Sequence, residues 1–247
     1  MSVVLEAKQV NKTFGSVTAA HDINVSVKRS ERLGLIGTNG AGKTTFVNIV
    51  TGYIKPDSGA ITLEGKDITG HAPRSITIEG VCRSFQVPQL FLTLTTAQNL
   101  AVSLGIADGR AISPYATIDA AMQQEIDGLL ERFRLADYRD QVVSELPGGV
   151  RKLIDIAVAV TRKPKILLLD EPTSGVAAEQ KFALMDIVMS ALDDDVTVLF
   201  VEHDMEIVSR YAQRVLAFYD GRIIADDVPQ AALQNEIVRT HITGTAG

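Results

Sequence analysis

The sequence predicts an α/β fold: a parallel sheet flanked by helices, built around a phosphate-binding loop and interrupted by a helical insertion. Three observations predict it. The glycine-rich stretch GLIGTNGAGKTT (34–45) follows an apolar strand and opens a helix. KILLLD (165–170) and VTVLFVEH (196–203) are continuous apolar runs of the kind buried on both faces of a parallel sheet. From Thr96 to Arg134 the apolar residues recur instead at spacings of three and four.

Composition sets the limits. A chain of 247 residues with 46% hydrophobic residues is long enough for one large domain with a sub-lobe and a real core. A net charge of −6 gives no global basic character and argues against a nucleic-acid partner. The single cysteine, Cys82, builds no disulfide framework and fits a reducing compartment; it sits in a predicted strand, where packing is its ordinary role. The N-terminal MSVVLEAKQVNKTF lacks the charged and apolar regions of a signal peptide, and no apolar run approaches the ~18 residues of a membrane span.

In order along the chain, VVLEAKQV (3–10), DINVSV (22–27) and RLGLIG (32–37) read as strands separated by polar turns. A helix from Lys43 to about Thr51 is closed by Gly52. Lys55–Gly59 is a turn, and AITLEG (60–65) is a further strand. The insertion covers about 87–160. In it Ile118, Met122, Ile126, Leu129 and Phe133 form one apolar stripe, and Gly105–Pro114 reads as a loop. After Pro164 the β/α alternation returns: Phe182, Met185, Met189 and Leu192 mark a helix, and Asp204–Ala212 another. The domain reading is a single domain over 1–247, with a core of 1–86 and 161–247 and a helical subdomain of 87–160. No internal repeat or low-complexity tract appears.

The chemistry starts at Gly37-x-x-x-x-Gly42-Lys43-Thr44. Glycines let the backbone curl so that several N–H groups face one phosphate, and the following helix adds its positive end. The candidate nucleotide contacts are Gly37, Asn39, Gly40, Ala41, Gly42, Lys43, Thr44 and Thr45. Lys43 is placed to reach the β- and γ-phosphates and Thr44 to hold Mg²⁺. Asp170 ends the Leu167-Leu168-Leu169 strand, where a carboxylate can reach Mg²⁺ directly or through water. Glu171 is next, placed to orient and polarise an attacking water. Three weaker signals remain open in the residues alone. Gln86 in SFQ contacts Mg²⁺ or water, or faces solvent. His203 in FVEHD is a functional or a hydrogen-bonded histidine. Phe14 in KTFG stacks on adenine or packs in the core.

Taken in order, Phe14, the Walker A loop at 37–44, Gln86, LPGGV at 146–150, the Walker B strand at 166–170, Glu171 and His203 resemble the ATP-binding subunit of an ABC transporter across essentially the whole chain. The resemblance implies a nucleotide-binding α/β core with an antiparallel β lobe and a helical sub-lobe. It implies ATP and Mg²⁺ as ligands, ATP hydrolysis, and contact of His203 with the γ-phosphate. Gln86 would link the nucleotide to membrane subunits and share in catalysis and metal binding. CRSFQVPQLFLTLTTAQNL (82–100), VEHDM (201–205) and the tail PQAALQNEIVRTHITG (229–244) are similar to the branched-chain amino acid importer ATPases. That branch imports hydrophobic amino acids, urea, amides or aromatic acids. It implies integral membrane permease subunits, a second ATPase subunit, a separate solute-binding protein, and a peripheral position on the cytoplasmic face of the membrane. The cleft around Val87–Leu92 is expected to receive a cytoplasmic helix of a membrane subunit, with the apolar run Leu90-Phe91-Leu92 as its motive.

Two departures from the family pattern stand out. Where the family carries Leu-Ser-Gly-Gly-Gln, this chain has Pro147 and Val150; the Gly148 and Gly149 N–H groups remain available as nucleotide contacts. In SGVAA (174–178), Ala177 replaces an acidic or amide residue. Because the signature acts in trans, an intact set of Lys43, Thr44, Gln86, Asp170, Glu171 and His203 beside a degraded signature predicts a heterodimer with one strong and one weak site. The alternatives are a soluble ABC protein of translation or DNA repair, and a regulatory nucleotide-binding module with little turnover. One Walker A loop and a short insertion count against the first; Glu171 counts against the second.

Overall fold

The computed structural model describes residues 2–107, 109 and 119–244. They form two compact units. One runs from the N-terminus to Cys82 and adds Lys165–Glu171 and the chain from Asp194 on; the other holds Arg83–Pro164 and Pro172–Asp193.

In the first unit, β1 (Val3–Phe14) and β2 (Val17–Lys28) are an antiparallel pair. β3 (Arg32–Gly37) leads through the glycine loop into α1 (Lys43–Val50). β4 (Ser58–Leu63) pairs antiparallel with β1 and with β5 (Lys66–Asp67), giving a four-stranded sheet in the order β2-β1-β4-β5. A short helix, α2 (Pro73–Glu79), starts on a proline, whose missing N–H costs nothing in a first turn, and stops at Gly80. β6 (Val81–Ser84) carries the buried Cys82, the last residue of this stretch of the first unit, and its Arg83 and Ser84 belong to the helical unit.

The helical unit contains α3 (Thr96–Ala107), α4 (Ala120–Arg132) and α5 (Gly148–Val160), with two short 3₁₀ turns at Ala136–Tyr138 and Val143–Glu145. Asp119 caps α4 by accepting a hydrogen bond from the Met122 N–H. Ile126, Leu129 and Phe133 of the predicted stripe are buried and Met122 half-buried; Ile118 lies outside the described residues. The predicted Gly105–Pro114 loop is corrected at its start. Gly105 is helical and α3 continues to Ala107, because one glycine costs a helix only about 1 kcal/mol and Leu104 is buried beside it. Residues 110–114 lie outside the described residues.

β7 (Ile166–Asp170) and β8 (Thr197–Val201) are fully buried and pair in parallel. Between them, α6 (Ala178–Ala191) belongs to the helical unit. α7 (Met205–Tyr211), capped by Asp204, precedes the hairpin β9 (Arg214–Tyr219) and β10 (Arg222–Asp227). The chain ends in α8 (Pro229–Gln234), α9 (Glu236–Val238) and a π-helical turn (Arg239–Thr243). The second sheet has six strands in the order β10-β9-β3-β8-β7-β6, with β3 parallel to both β8 and β9. Within the first unit, Leu5, Val10 and Ile23 of the antiparallel sheet share one core with Phe46 of α1 and with Ile166 and Leu199 of the parallel strands.

The division differs from the sequence boundaries in three places. Residues 161–164, following α5, stay in the helical unit, where the Thr161 hydroxyl lies 2.7 Å from that of Ser103 on α3. Arg83–Gln86 group with the helices, because side chains of α5 hold this stretch of main chain. Residues 172–193 do so because α6 packs on α4 and α5.

Candidate functional site

The glycine loop is shaped by close backbone approach. A Cβ on Gly37 would lie 2.4 Å from the Phe218 carbonyl oxygen, and one on Gly42 would lie 2.4 Å from that of Ala19. Both glycines also have positive φ, at 150° and 107°, so any side chain there would be strained as well as obstructed. The β9–β10 turn braces the loop from outside: the Gly221 N–H donates to the Ala41 carbonyl at 3.0 Å. α1 has no side-chain cap and no acidic residue in its first turn, which leaves its N-terminus suited to an anion.

Lys43 lies in this curl, 5% exposed, and its Nζ donates to the carbonyls of Gly37 at 2.7 Å and Thr38 at 3.0 Å. Burial pushes the ammonium below the usual lysine range; the charges of Glu171 and Asp170 pull it part of the way back. A buried cation at the uncapped start of a helix suits an anion, with Glu171 and Asp170 keeping the lysine charged.

Asp170 is buried at the end of β7, paired in register with Val201 of β8. Glu171, the next residue, takes a left-handed backbone with φ 47° and donates its N–H to the Val201 carbonyl at 3.0 Å. Such a backbone costs a non-glycine residue about 1–3 kcal/mol and gathers at functional sites. The twist at the strand end leaves Glu171 Oε1 3.2 Å from His203 Nε2, so an imidazole protonated on Nε2 donates to the carboxylate. Asn39, Gly40, Ala41, Gly42, Lys43, Thr44, Thr45, Glu171 and His203 line a single cavity of about 130 Å³. Pockets for whole small molecules run to roughly 300–1,000 Å³, so this cavity has room for one small group such as a phosphate rather than for a whole nucleotide. A larger hollow of about 280 Å³ in the helical unit is lined by charges that already pair, Arg132 with Asp193 and Lys163 with Glu125.

The remaining predicted contacts stand elsewhere. Gln86, Gly148 and Gly149 belong to the helical unit, with Gln86 exposed after β6 and both glycines opening α5. Phe14 ends β1 and is 47% exposed, so it is no core residue. The Lys12 ammonium lies 5.4 Å from its ring centroid. Asp57 fixes this corner, accepting from Lys12 Nζ at 2.7 Å, the Thr13 N–H at 2.8 Å and the Thr13 hydroxyl at 2.9 Å. The hydrogen bond from Lys12, followed by those from Thr13, lowers the Asp57 carboxyl to about 2. A lowered carboxylate pKa contributes stability that is complete above the unfolded value, about 4, and is lost as pH falls through the folded value. Melting curves taken between pH 4 and pH 2 should therefore fall less steeply for Asp57→Asn than for wild type. Equal slopes would remove Asp57 from the acid response.

No residue group among those described has the three His, Cys, Asp or Glu ligands of an all-protein metal cage. The hydroxyl of Thr44 and the carboxylate of Asp170 fit a magnesium ion held mainly by phosphates, which requires only one or two protein oxygens.

A cradle for phosphate facing an acid–histidine pair, set on a parallel sheet, is the arrangement of a P-loop nucleotide hydrolase. Residues 20–174 match the family model for the ABC transporter. The chain belongs to that family and is one of its ATPase subunits. It is 30% identical over 240 residues to the high-affinity branched-chain amino acid transport ATP-binding protein LivG of Escherichia coli, covering 93% of each chain. It is 28% identical to BraF of Pseudomonas aeruginosa, which carries the same description, over 97% of each chain. A crystal structure of the ADP conformation of an ATP-binding cassette of an ABC transporter superposes with a TM-score of 0.86 at 28% identity, covering 97% of this chain and 98% of the other. No helix among the described residues is long and apolar enough to cross a membrane.

Proposed function

We propose that this chain hydrolyses ATP to drive an importer of branched-chain or other hydrophobic amino acids or related small solutes. It does so on the cytoplasmic face of the membrane, attached through permease subunits and served by a separate solute-binding protein. The observation that carries the hydrolytic part is the cavity in which buried Lys43 faces the Glu171–His203 pair. The transport part is supported by the LivG and BraF relatives, whose names describe branched-chain amino acid transport.

In this reading Lys43 and the loop residues from Gly37 to Thr45 bind the β- and γ-phosphates, and Phe14 stacks on adenine. Glu171 accepts a hydrogen bond from a water and polarises it for attack on the γ-phosphorus. The bond from that phosphorus to the bridging oxygen breaks, and ADP and phosphate leave. His203 holds the Glu171 carboxylate and contacts the γ-phosphate. Thr44 and Asp170 would hold Mg²⁺, which would neutralise charge on the phosphate oxygens, and Gln86 would share in hydrolysis and metal binding as the family resemblance implies. Gly148 and Gly149 serve the nucleotide of a partner subunit.

Membrane attachment is assigned to the segment after Gln86, where Phe91 is 57% exposed and Val87 and Leu92 are exposed beside it. The test is purification of the full chain with its membrane. ATPase activity should require Mg²⁺, and an integral membrane protein should co-purify after detergent extraction. Phe91→Asp should lose that partner while melting normally, since a surface change of this kind costs within about 0.5 kcal/mol. An active ATPase that brings down no membrane protein would favour a soluble ABC protein instead.

A further inference from the structure

The helix that begins with the signature holds a pair of ionisable residues one turn apart. Lys152 is 2% exposed and Asp155 4% exposed, both on α5. Apolar side chains would pack such positions without the cost of burying charge. Both instead bond to one short stretch of chain in the same unit, the stretch that carries Gln86, and all but one of the bonds are to its main chain. Asp155 Oδ2 accepts from the Ser84 hydroxyl at 2.6 Å and the Phe85 N–H at 3.1 Å; Oδ1 accepts from the Gln89 N–H at 2.9 Å. Lys152 Nζ donates to the carbonyl of Phe85 at 2.9 Å and to that of Gln86 itself. The bonds thus fall on both sides of residue 86, and one falls on residue 86. Loops are ordinarily the mobile parts of a domain; this one is held at five points by two side chains of a single helix.

We propose that Lys152 and Asp155 are positioning residues that lock the main chain around Gln86 to the signature helix, so that Gln86 and the Gly148-Gly149 turn move as one piece. The inference rests on the part read above for Gln86 in hydrolysis. The first residues of α5 then serve one nucleotide, while its second turn sets the residue that serves another. Burial raises the Asp155 carboxyl above the usual range, and the hydrogen bonds from Ser84, Gln89 and Phe85 oppose that rise.

The test is a double-mutant cycle on the full-length chain with Asp155→Asn and Gln86→Ala, following kcat, the KM for ATP and the Mg²⁺ concentration at half-maximal rate. Asparagine keeps the shape of the side chain but turns one acceptor into a donor facing a donor. Asp155→Asn is expected to lower kcat about 10–100-fold, the usual loss when an outer support of a site is removed. Binding of a fluorescent ATP analogue without Mg²⁺ should be unchanged, because Lys43 and its loop lie in the other unit. The double variant should be no slower than Gln86→Ala alone. A role in folding alone would shift the melting temperature and leave the two effects additive.

If Gln86→Ala is slow while Asp155→Asn matches wild type, or if the losses multiply in the double variant, the clamp is overturned and the reading of Gln86 survives. If Gln86→Ala is itself as fast as wild type, that reading fails, and the inference with it. Should Asp155→Asn not fold, Ser84→Ala removes a single donor to the same carboxylate and takes its place in the cycle.

Discussion

Glu171→Gln is expected to bind ATP as tightly as wild type and to hydrolyse it about 10²–10³-fold more slowly, the scale of losing a major transition-state contact. The substitution is nearly isosteric. Glutamine can adopt the same φ of 47°, donate the same N–H to Val201, and accept from His203 Nε2 through its amide oxygen. Folding and the His203 contact are therefore retained, and what disappears is a negatively charged acceptor for the proton of the attacking water. Lys43→Ala should fail differently. It removes the buried cation that two carboxylates already favour, so ATP binding itself weakens. A filter-binding titration beside a phosphate-release assay separates the two variants. Undiminished release by Glu171→Gln would take Glu171 out of the reaction and leave the cavity as a binding site only.

The glycine loop of the candidate site was legible because its signal is local. Gly37, Gly42, Lys43 and Thr44 fall in one loop, and the strand before it and the helix after it are marked by the residues between them. The same holds for Asp170 and Glu171 at the end of an apolar run. Other features depend on partners far away in the chain. Nothing near Ala41 announces that Gly221 braces it, although Asp220-Gly221 reads as a hairpin turn and could have drawn attention to that corner. The left-handed backbone of Glu171 is invisible in a sequence, since glutamate is an unusual residue for it. α2 is seven residues with one buried side chain, too short for an apolar period to show.

Lys152 and Asp155 were hidden for another reason. In RKLID they look like the solvated side of an amphipathic helix, three residues apart, and only the structure shows that they point at a loop some seventy residues earlier. A usable clue was that the next residues, from Ile156 to Val160, are all apolar. A helix with so little polar surface has few solvated positions for its charges, so a charge in its midst asks for an internal partner.

Pro147→Ser is expected to speed hydrolysis by the isolated chain about 10–100-fold, corresponding to the 1.5–3 kcal/mol of a hydrogen bond to a charged group. Pro147 is the N-cap of α5: its carbonyl accepts from the Arg151 N–H at 3.0 Å, but no side chain caps the helix. Serine there adds two things at once, a hydroxyl donor for a γ-phosphate and a helix cap worth about 1 kcal/mol. The cap should raise the melting temperature; the donor should raise the rate. Pro147→Asp separates them, since aspartate caps as well as serine but offers no donor and repels phosphate. If rate follows the cap, Pro147→Asp and Pro147→Ser are equally fast; if it follows the donor, only serine is fast. Alone, the wild-type chain can pair only with copies bearing the same poor signature. A second ATPase subunit with a serine signature would instead complete the site built on Lys43, Asp170 and Glu171, leaving the opposite site slow. Mixing the wild-type chain with such a subunit should therefore restore rapid hydrolysis, and Glu171→Gln in this chain should abolish most of it. Full-speed hydrolysis by the isolated wild-type chain, indifferent to Pro147→Ser, would mean that the glycine N–H groups suffice without the serine hydroxyl, and the case for an unequal pair would fall.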